Sequence, residues 1–228
     1  MDDIMNIFIE AFTVDPITKK GKEISEYGGM FEDTSVILNQ YLEEAITGTT
    51  KKNLVQKMMD LMKKLLKLIS DTLNKILKKI KSLFSNSKKL IVIYDEKAER
   101  GGIGTSDGKV CIMDNAFFNV CMDPEILNEF MNTVFLKEAA NEEIEESLSK
   151  FAQKVKAKPV IDSKAHDFPI SNIEKLSKYA GDYAKFIESH KDTLSPEITN
   201  AVLAMLKELS DGINKFYKEL QLSQNGQA

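Results

Sequence analysis

The sequence has no tryptophan, two cysteines, two histidines and a single arginine, Arg100, among its 228 residues. Zinc sites are built from clustered Cys and His ligands, and bidentate recognition of phosphates or bases depends on arginine. Cys111 and Cys121 fit neither a disulfide framework nor a zinc spacing, so we expect two free thiols in a reducing cytoplasm. The composition therefore argues against a zinc centre and against sequence-specific recognition of nucleic acid.

Long apolar runs are also missing. No stretch approaches the roughly 18 apolar residues that a membrane span requires. The sequence begins Met1, Asp2, Asp3, without a basic region or a small-residue cleavage site, so no signal peptide is predicted. With 43% hydrophobic residues, the chain is long enough for one medium domain or two small ones.

A strict apolar period is present between Lys51 and Phe84. Steps of four and three residues connect nine apolar positions, which predicts a helix of about 34 residues and near 50 Å with an uninterrupted heptad seam. The seam consists of Val55, Met59, Met62, Leu66, Ile69, Leu73, Ile76, Ile80 and Leu83. A second apolar row consists of Leu54, Met58, Leu61, Leu65 and Leu68. A helix this long is expected to meet a partner, a membrane surface or a second domain.

Charge is distributed unevenly along the chain. Residues 51–89 hold twelve lysines against Asp60 and Asp71, a net charge of +10, which leaves −14 for the remainder. A basic amphipathic helix can lie on an anionic membrane, pack its apolar seam against other helices, or bind nucleic acid through lysine charge. Packing is favoured, because membrane binding needs only an apolar face and not a sustained 3.5-residue period. The nine seam residues are thus the predicted interaction residues, and their lysines are expected to pair with acidic segments of the same or a neighbouring chain.

The whole chain is predicted to be mainly α with a small β-hairpin or sheet, an α+β fold in which the long helix accompanies a C-terminal helical bundle. Four segments are expected: an N-terminal helical or extended segment at 1–50, the basic helix at 51–88, a small β element with helices at 89–158, and a C-terminal helical hairpin at 159–228. The β element is placed at residues 90–121. Further helices are predicted from Asp123 and Pro124 through Phe135 or beyond, on to Val155 before Pro159, from Ser171 through His190, and from Ser195 and Pro196 onward. The apolar face of the last helix is expected to consist of Ile198, Val202, Met205, Leu206, Leu209, Ile213, Phe216 and Leu220.

Three groups of residues are candidate chemical sites. The glycine-rich stretch at 101–108 follows a strand but no helix opens from it, so a hairpin loop is favoured over a phosphate cradle. Asp162, His166 and Asp167 lack a second histidine or a nucleophile, which favours a solvated loop. The glutamates at 142–146 lack the histidine of carboxylate-bundle metal sites, which favours an exposed acidic face. No catalytic, cofactor-binding or metal-binding residue is predicted, and no enzyme activity.

The layout of residues 1–95 resembles virion structural proteins of tailed bacteriophages. It combines an acidic N-terminal segment with Ile7, Phe8, Ile9 and Phe12, a helix ending near Gly48, the run KKLLKLISDTLNKILKKIKSLF, and the strand KLIVIYD. The resemblance implies a non-enzymatic, multi-copy particle component without cofactors, located in the virion and in the host cytoplasm during assembly. Its partners would be further copies or other virion proteins. The alternative function is a peripheral membrane protein that binds anionic lipid through the basic helix, and nucleic-acid contact is favoured least.

Overall fold

The computed structural model describes residues 51–84, 89–95, 99–105, 108, 110–135, 141–159, 167–189 and 196–224. Within them the chain forms six helices and three strands. In chain order these are α1 (Lys51–Leu83), β1 (Leu90–Asp95), β2 (Arg100–Thr105), β3 (Val110–Ile112), α2 (Asn115–Met122), α3 (Glu125–Phe135), α4 (Asn141–Lys156), α5 (Ile170–Ser189) and α6 (Pro196–Gln224). The fold is mainly helical with a small antiparallel sheet, as the sequence predicts. Expectations for residues 1–50 lie outside the described part of the chain.

The long helix α1 packs mainly against α5 and α6. The shorter helices α2, α3 and α4 contact one another and also α5 and α6, so the two C-terminal helices lie between α1 and the short helices. One hydrophobic cluster runs through these elements, from Met58 in α1 to Leu220 in α6. The described parts of the three segments predicted at 51–88, 89–158 and 159–228 therefore share a core.

The sheet is antiparallel with the order β1-β2-β3. Leu90 of β1 pairs with Thr105, and Ile103 of β2 pairs with Cys111. Helix α2 packs against β2 and places the ring of Phe118 over Gly101, where a Cβ atom would overlap the ring. The small sheet is thereby joined to the helical core.

Two parts of the β prediction are wrong. The glycine-rich stretch, expected to be a hairpin loop, supplies the central strand β2 at Arg100–Thr105. The expected β element also ends early, because Asn115–Met122 is helical. The carboxylate of Asp114 caps this helix by accepting a hydrogen bond of 3.1 Å from the Ala116 amide.

The other helices agree closely with their sequence patterns. Helix α3 spans Glu125–Phe135, in agreement with the prediction of a helix through Phe135 or beyond, and α4 ends three residues before Pro159. Helix α5 begins at Ile170, one residue before the predicted Ser171 cap. The predicted face of α6 is buried at each position: Ile198, Val202, Met205, Leu206, Leu209, Ile213, Phe216 and Leu220.

Candidate interaction surface

The apolar seam of α1 lies in the core of its own chain. Its buried members are Met59, Met62, Leu66, Ile69, Leu73, Ile76 and Ile80, each at most 1% exposed. Leu83 is partly buried against the same cluster, and the side chain of Val55 lies outside the described set. Burying side chains of this size contributes about 1.5–3 kcal/mol each, so the seam is a principal source of stability.

The helices that cover the seam belong to the same molecule. Sequence alone left open whether a partner chain or a second segment would do so, and α5 and α6 occupy the position. Met58, Leu61 and Leu65 of the second apolar row are buried as well. Another chain could reach these side chains only if α5 and α6 moved away. A contact with a partner must therefore use a different face of α1.

That other face carries lysines. Lys64, Lys67, Lys75 and Lys78 are all exposed and lie along one side of α1, with exposed Asp71 between the two pairs. We call these four residues the lysine ridge. Their Cα positions span about 21 Å along the helix, from the rise of 1.5 Å per residue. The ridge is a narrow basic surface on the side of α1 opposite the buried seam.

Basic side chains at the C-terminal end of α1 and just beyond it pair with acidic residues of the C-terminal region. The ammonium of Lys81 lies 3.4 Å from the carboxylate of Glu174, and that of Lys89 lies 3.4 Å from Asp167. All four side chains are more than half exposed, so each pair contributes little to stability, about 0–1 kcal/mol. Pairing of lysines with acidic segments of the same chain does occur, as the charge asymmetry predicts.

The acidic counterpart lies on α4. Glu142, Glu143, Glu145 and Glu146 are exposed in the first turns of this helix, as predicted for an acidic face. The partial positive charge of a helix N-terminus favours carboxylates there. Glu146 lies 2.6 Å from the ammonium of Lys150, which lowers the carboxyl pKa through a hydrogen bond and charge attraction.

A groove of about 620 Å³ separates α3 from α4. Buried Ile126, Phe130 and Phe151 form its apolar floor, and the two phenyl rings stack with centroids 4.4 Å apart. Its polar lining comprises Glu129, Asn132, Thr133, Glu143, Glu146, Ser147, Lys150 and Lys154. Three carboxylates therefore share the groove with two ammonium groups near the C-terminal half of α4.

The glycine-rich stretch and the segment around Asp167 do not form a catalytic site among the described residues. The glycines at 101–104 lie within a sheet, and a Cβ at Gly102 would overlap the backbone carbonyl of Cys111, so their small size serves packing. Asp167 pairs with Lys89 and is exposed, while Asp162 and His166 lie outside the described part. No group of three or more metal-ligating side chains occurs among the residues described.

Both cysteines are free and buried, as predicted for thiols without disulfide partners. Burial raises the pKa of the Cys121 thiol well above its usual value. A thiol held protonated in this way is a poor nucleophile. Cys121 therefore behaves as an apolar packing residue.

A polar cluster between α3 and α5 was not predicted from sequence. The Tyr179 hydroxyl donates a hydrogen bond of 2.6 Å to the carboxylate of Glu125, which also accepts one from the side-chain amide of Asn128. These bonds lower the pKa of Glu125 and raise the pKa of Tyr179 to about 12. One turn further along α5, Tyr183 contacts the side chains of Asn128 and Asn132, and burial raises its pKa to about 12. The cluster is a helix contact rather than a reactive site.

Comparison with family models, curated proteins and solved structures gives no match. The surfaces of the molecule are therefore the basis for a functional proposal. Among the helices described, none combines the length and apolar character needed to cross a bilayer.

Proposed function

We propose that the chain is a non-enzymatic structural protein that assembles in multiple copies and uses the lysine ridge of α1 as a contact surface. The observation that carries the proposal is the division of α1 into two faces. The apolar face is occupied by α5 and α6 of the same chain, while Lys64, Lys67, Lys75 and Lys78 point outward. The apolar seam of this helix is buried, so a partner would contact its positively charged face.

A phage particle is the proposed setting of this assembly. The layout of residues 1–95 supports that setting, because it resembles virion structural proteins of tailed bacteriophages. Quantitative mass spectrometry of purified particles tests it directly. Many copies per particle are expected, and a particle preparation without the chain would contradict this part of the proposal.

The non-enzymatic part of the proposal rests on how the reactive groups are engaged. The Cys121 thiol is buried and Glu125 is held by Tyr179 and Asn128. Burial keeps the Cys121 thiol protonated and packed in the core. The two hydrogen bonds keep Glu125 ionised and engaged with Tyr179 and Asn128.

Membrane-surface binding is the competing proposal, and the burial of the seam weakens it. An interfacial helix inserts its apolar face below the lipid headgroups, but that face of α1 is covered. Only electrostatic adsorption through the lysine ridge remains. Cosedimentation with vesicles containing anionic lipid separates the two proposals, since adsorption predicts binding that disappears at high salt.

Assembly is tested by size-exclusion chromatography with light scattering over a range of protein and salt concentrations. The wild-type protein is expected to form multimers that dissociate as salt rises, because exposed charges are screened. The combined Lys64→Gln, Lys67→Gln and Lys78→Gln variant is expected to remain monomeric. A matched control replaces the exposed Lys178, Lys185 and Lys215 on α5 and α6 with Gln and should assemble normally. A wild-type monomer at every concentration would overturn the proposal.

A further inference from the structure

The lysine ridge is basic, whereas the groove between α3 and α4 is weakly acidic, with three carboxylates against two ammonium groups, and the two surfaces have comparable length. The ridge spans about 21 Å, and the lining positions of α4 from Glu143 to Lys154 span about 16 Å, both from the helical rise. The rim carries carboxylates of Glu129, Glu143 and Glu146 above an apolar floor. Lysine suits such a groove, because its alkyl stem covers apolar surface while its ammonium reaches the rim.

We infer that the lysine ridge of one copy docks into the α3–α4 groove of a second copy. This inference rests on the proposed function and names the partner surface for it. Within one molecule, α1 packs against α5 and α6 whereas the groove is formed by α3 and α4. The ridge therefore meets a groove only on another molecule.

The charge pattern constrains the register of the docking. Asp71 interrupts the ridge between its two lysine pairs, and Lys150 and Lys154 follow the glutamates along the groove. When one lysine pair of the ridge lies against the glutamates, Asp71 lies towards a lysine of the groove, and either end of the ridge can take this position because the two pairs are symmetric about Asp71. Registers that bring like charges together are disfavoured.

The contact joins two different surfaces, so it is heterologous. A copy docked through one surface leaves its other surface undocked, so a further copy can add at each end of the assembly. The assembly therefore grows into an open chain or closes into a ring, depending on the rotation between neighbouring copies. This outcome suits a multi-copy structural component.

Charge reversal on each surface provides the test. The ridge variant combines Lys64→Glu, Lys67→Glu and Lys78→Glu, and the groove variant combines Glu129→Lys, Glu143→Lys and Glu146→Lys. Each variant alone is expected to have an apparent dissociation constant for self-association raised about a hundredfold, because like charges then face each other. An equimolar mixture is expected to regain multimers by light scattering, since acidic and basic surfaces again meet.

Two control variants isolate the surfaces. Glu142→Lys with Glu145→Lys changes the same helix outside the groove lining, and Lys178→Glu with Lys185→Glu and Lys215→Glu changes lysines outside the ridge. Both controls are expected to assemble within about threefold of the wild-type concentration dependence. Circular dichroism verifies folding, and a Glu129→Gln, Glu143→Gln and Glu146→Gln variant replaces the groove reversal if that variant unfolds.

The outcomes distinguish docking of the ridge into the groove from the more general proposal of assembly through the ridge. If the ridge variant is monomeric but the groove variant assembles like wild type, the inference is overturned and the ridge has another partner surface. The inference also fails if the two variants do not restore multimers on mixing. A monomeric wild-type protein overturns both the inference and the proposed assembly.

Discussion

Ser70 of α1 and Ser177 of α5 hold the two helices together by reciprocal hydrogen bonds. The Ser70 hydroxyl donates to the Ser177 carbonyl at 2.8 Å, and the Ser177 hydroxyl donates to the Ser70 carbonyl at 3.1 Å. Gly181 lies one turn further along α5, and a Cβ there would sit 3.2 Å from the Ser70 hydroxyl. Small side chains thus permit a close approach at the centre of the main helix contact.

Replacing Ser177 with valine should destabilise the protein by about 2–4 kcal/mol, because the hydrogen bond that its hydroxyl donates is lost and bulk is added in a closely packed contact. Ser177→Ala should cost less, about 1–2 kcal/mol, because only the hydroxyl is removed. Urea denaturation measures both values. Exposed Ser149→Ala is the control. Equal losses for valine and alanine would contradict the close approach.

The seam of α1 predicts a large effect of truncation. Leu73 is fully buried, so Leu73→Ala is expected to lower the free energy of unfolding by about 2–5 kcal/mol. Lys75→Ala, on the exposed face, should change it by less than about 0.5 kcal/mol. Ile69→Asp or Leu73→Asp should unfold the chain and therefore reports on stability rather than on assembly. A small loss for Leu73→Ala would show that α5 and α6 do not cover the seam in solution.

The central strand predicts strict selection for glycine at position 102. A methyl group there would overlap the carbonyl of Cys111 in the backbone of β3, which cannot move aside as a side chain would. Gly102→Ala is expected to cost more than about 2 kcal/mol. Gly108 has a φ of +88° but open space around it, so Gly108→Ala should cost only about 1 kcal/mol. Thermal unfolding ranks the two, and the reverse order would contradict the placement of β2 beside β3.

The hydrogen bonds of the Asn119 side-chain amide predict that a negative charge at this position destabilises the fold. The amide donates to three carbonyls at the end of α4 and just beyond it, those of Lys154, Val155 and Ala157, at 2.9–3.1 Å. Asn119→Ala should cost about 1–3 kcal/mol by leaving carbonyls unsatisfied. Asn119→Asp should cost more, because a carboxylate would face three carbonyl oxygens. Guanidinium denaturation at neutral pH measures the free energy of unfolding of both variants. A smaller loss for Asn119→Asp than for Asn119→Ala would contradict the capping role.

The Tyr179–Glu125 hydrogen bond predicts a pH window of stability. The folded-state pKa of Glu125 is lowered, so its contribution is present above the ordinary carboxyl pKa and is lost as pH falls through the folded value. The pKa of Tyr179 is raised to about 12, so its contribution is complete below about pH 10 and is lost as pH rises towards 12.

The difference in melting temperature between the wild type and Tyr179→Phe should therefore be largest near neutral pH and shrink at both extremes. Ultraviolet titration of tyrosinate in the two proteins should show one tyrosine of high pKa missing in the variant. Tyr217→Phe is a control on α6, outside this cluster. A pH-independent difference would contradict a hydrogen bond to the ionised carboxylate.

Local periodicity predicted α1 and the buried face of α6, because a helix brings residues three and four apart onto one side whatever surrounds it. The partner of α1 could not be predicted in the same way. Ser70 and Ser177 are 107 positions apart, and nothing in the heptad pattern distinguishes a second segment of the same chain from another molecule.

The glycine-rich strand was missed for a different reason. Isolated glycines favour turns and loops, and no local signal at Arg100–Thr105 opposes that preference. The strand is decided by the Phe118 ring over Gly101 and by the Cys111 carbonyl beside Gly102, which are contacts between separate elements. Helix α2 did carry a local signal, the N-cap Asp114, which the apolar character of the following residues obscured. The α3–α4 groove depends on two helices at once and had no signature in either alone.

The position of α1 in the chain has a consequence for synthesis. Its apolar face is made before α5 and α6, the helices that cover it, and more than a hundred residues separate Ser70 from its partner in α5. The nascent chain therefore carries an uncovered hydrophobic stripe flanked by lysines until the C-terminal helices leave the ribosome. Chaperones that hold apolar segments recognise such a stripe, and aggregation at high expression should begin there.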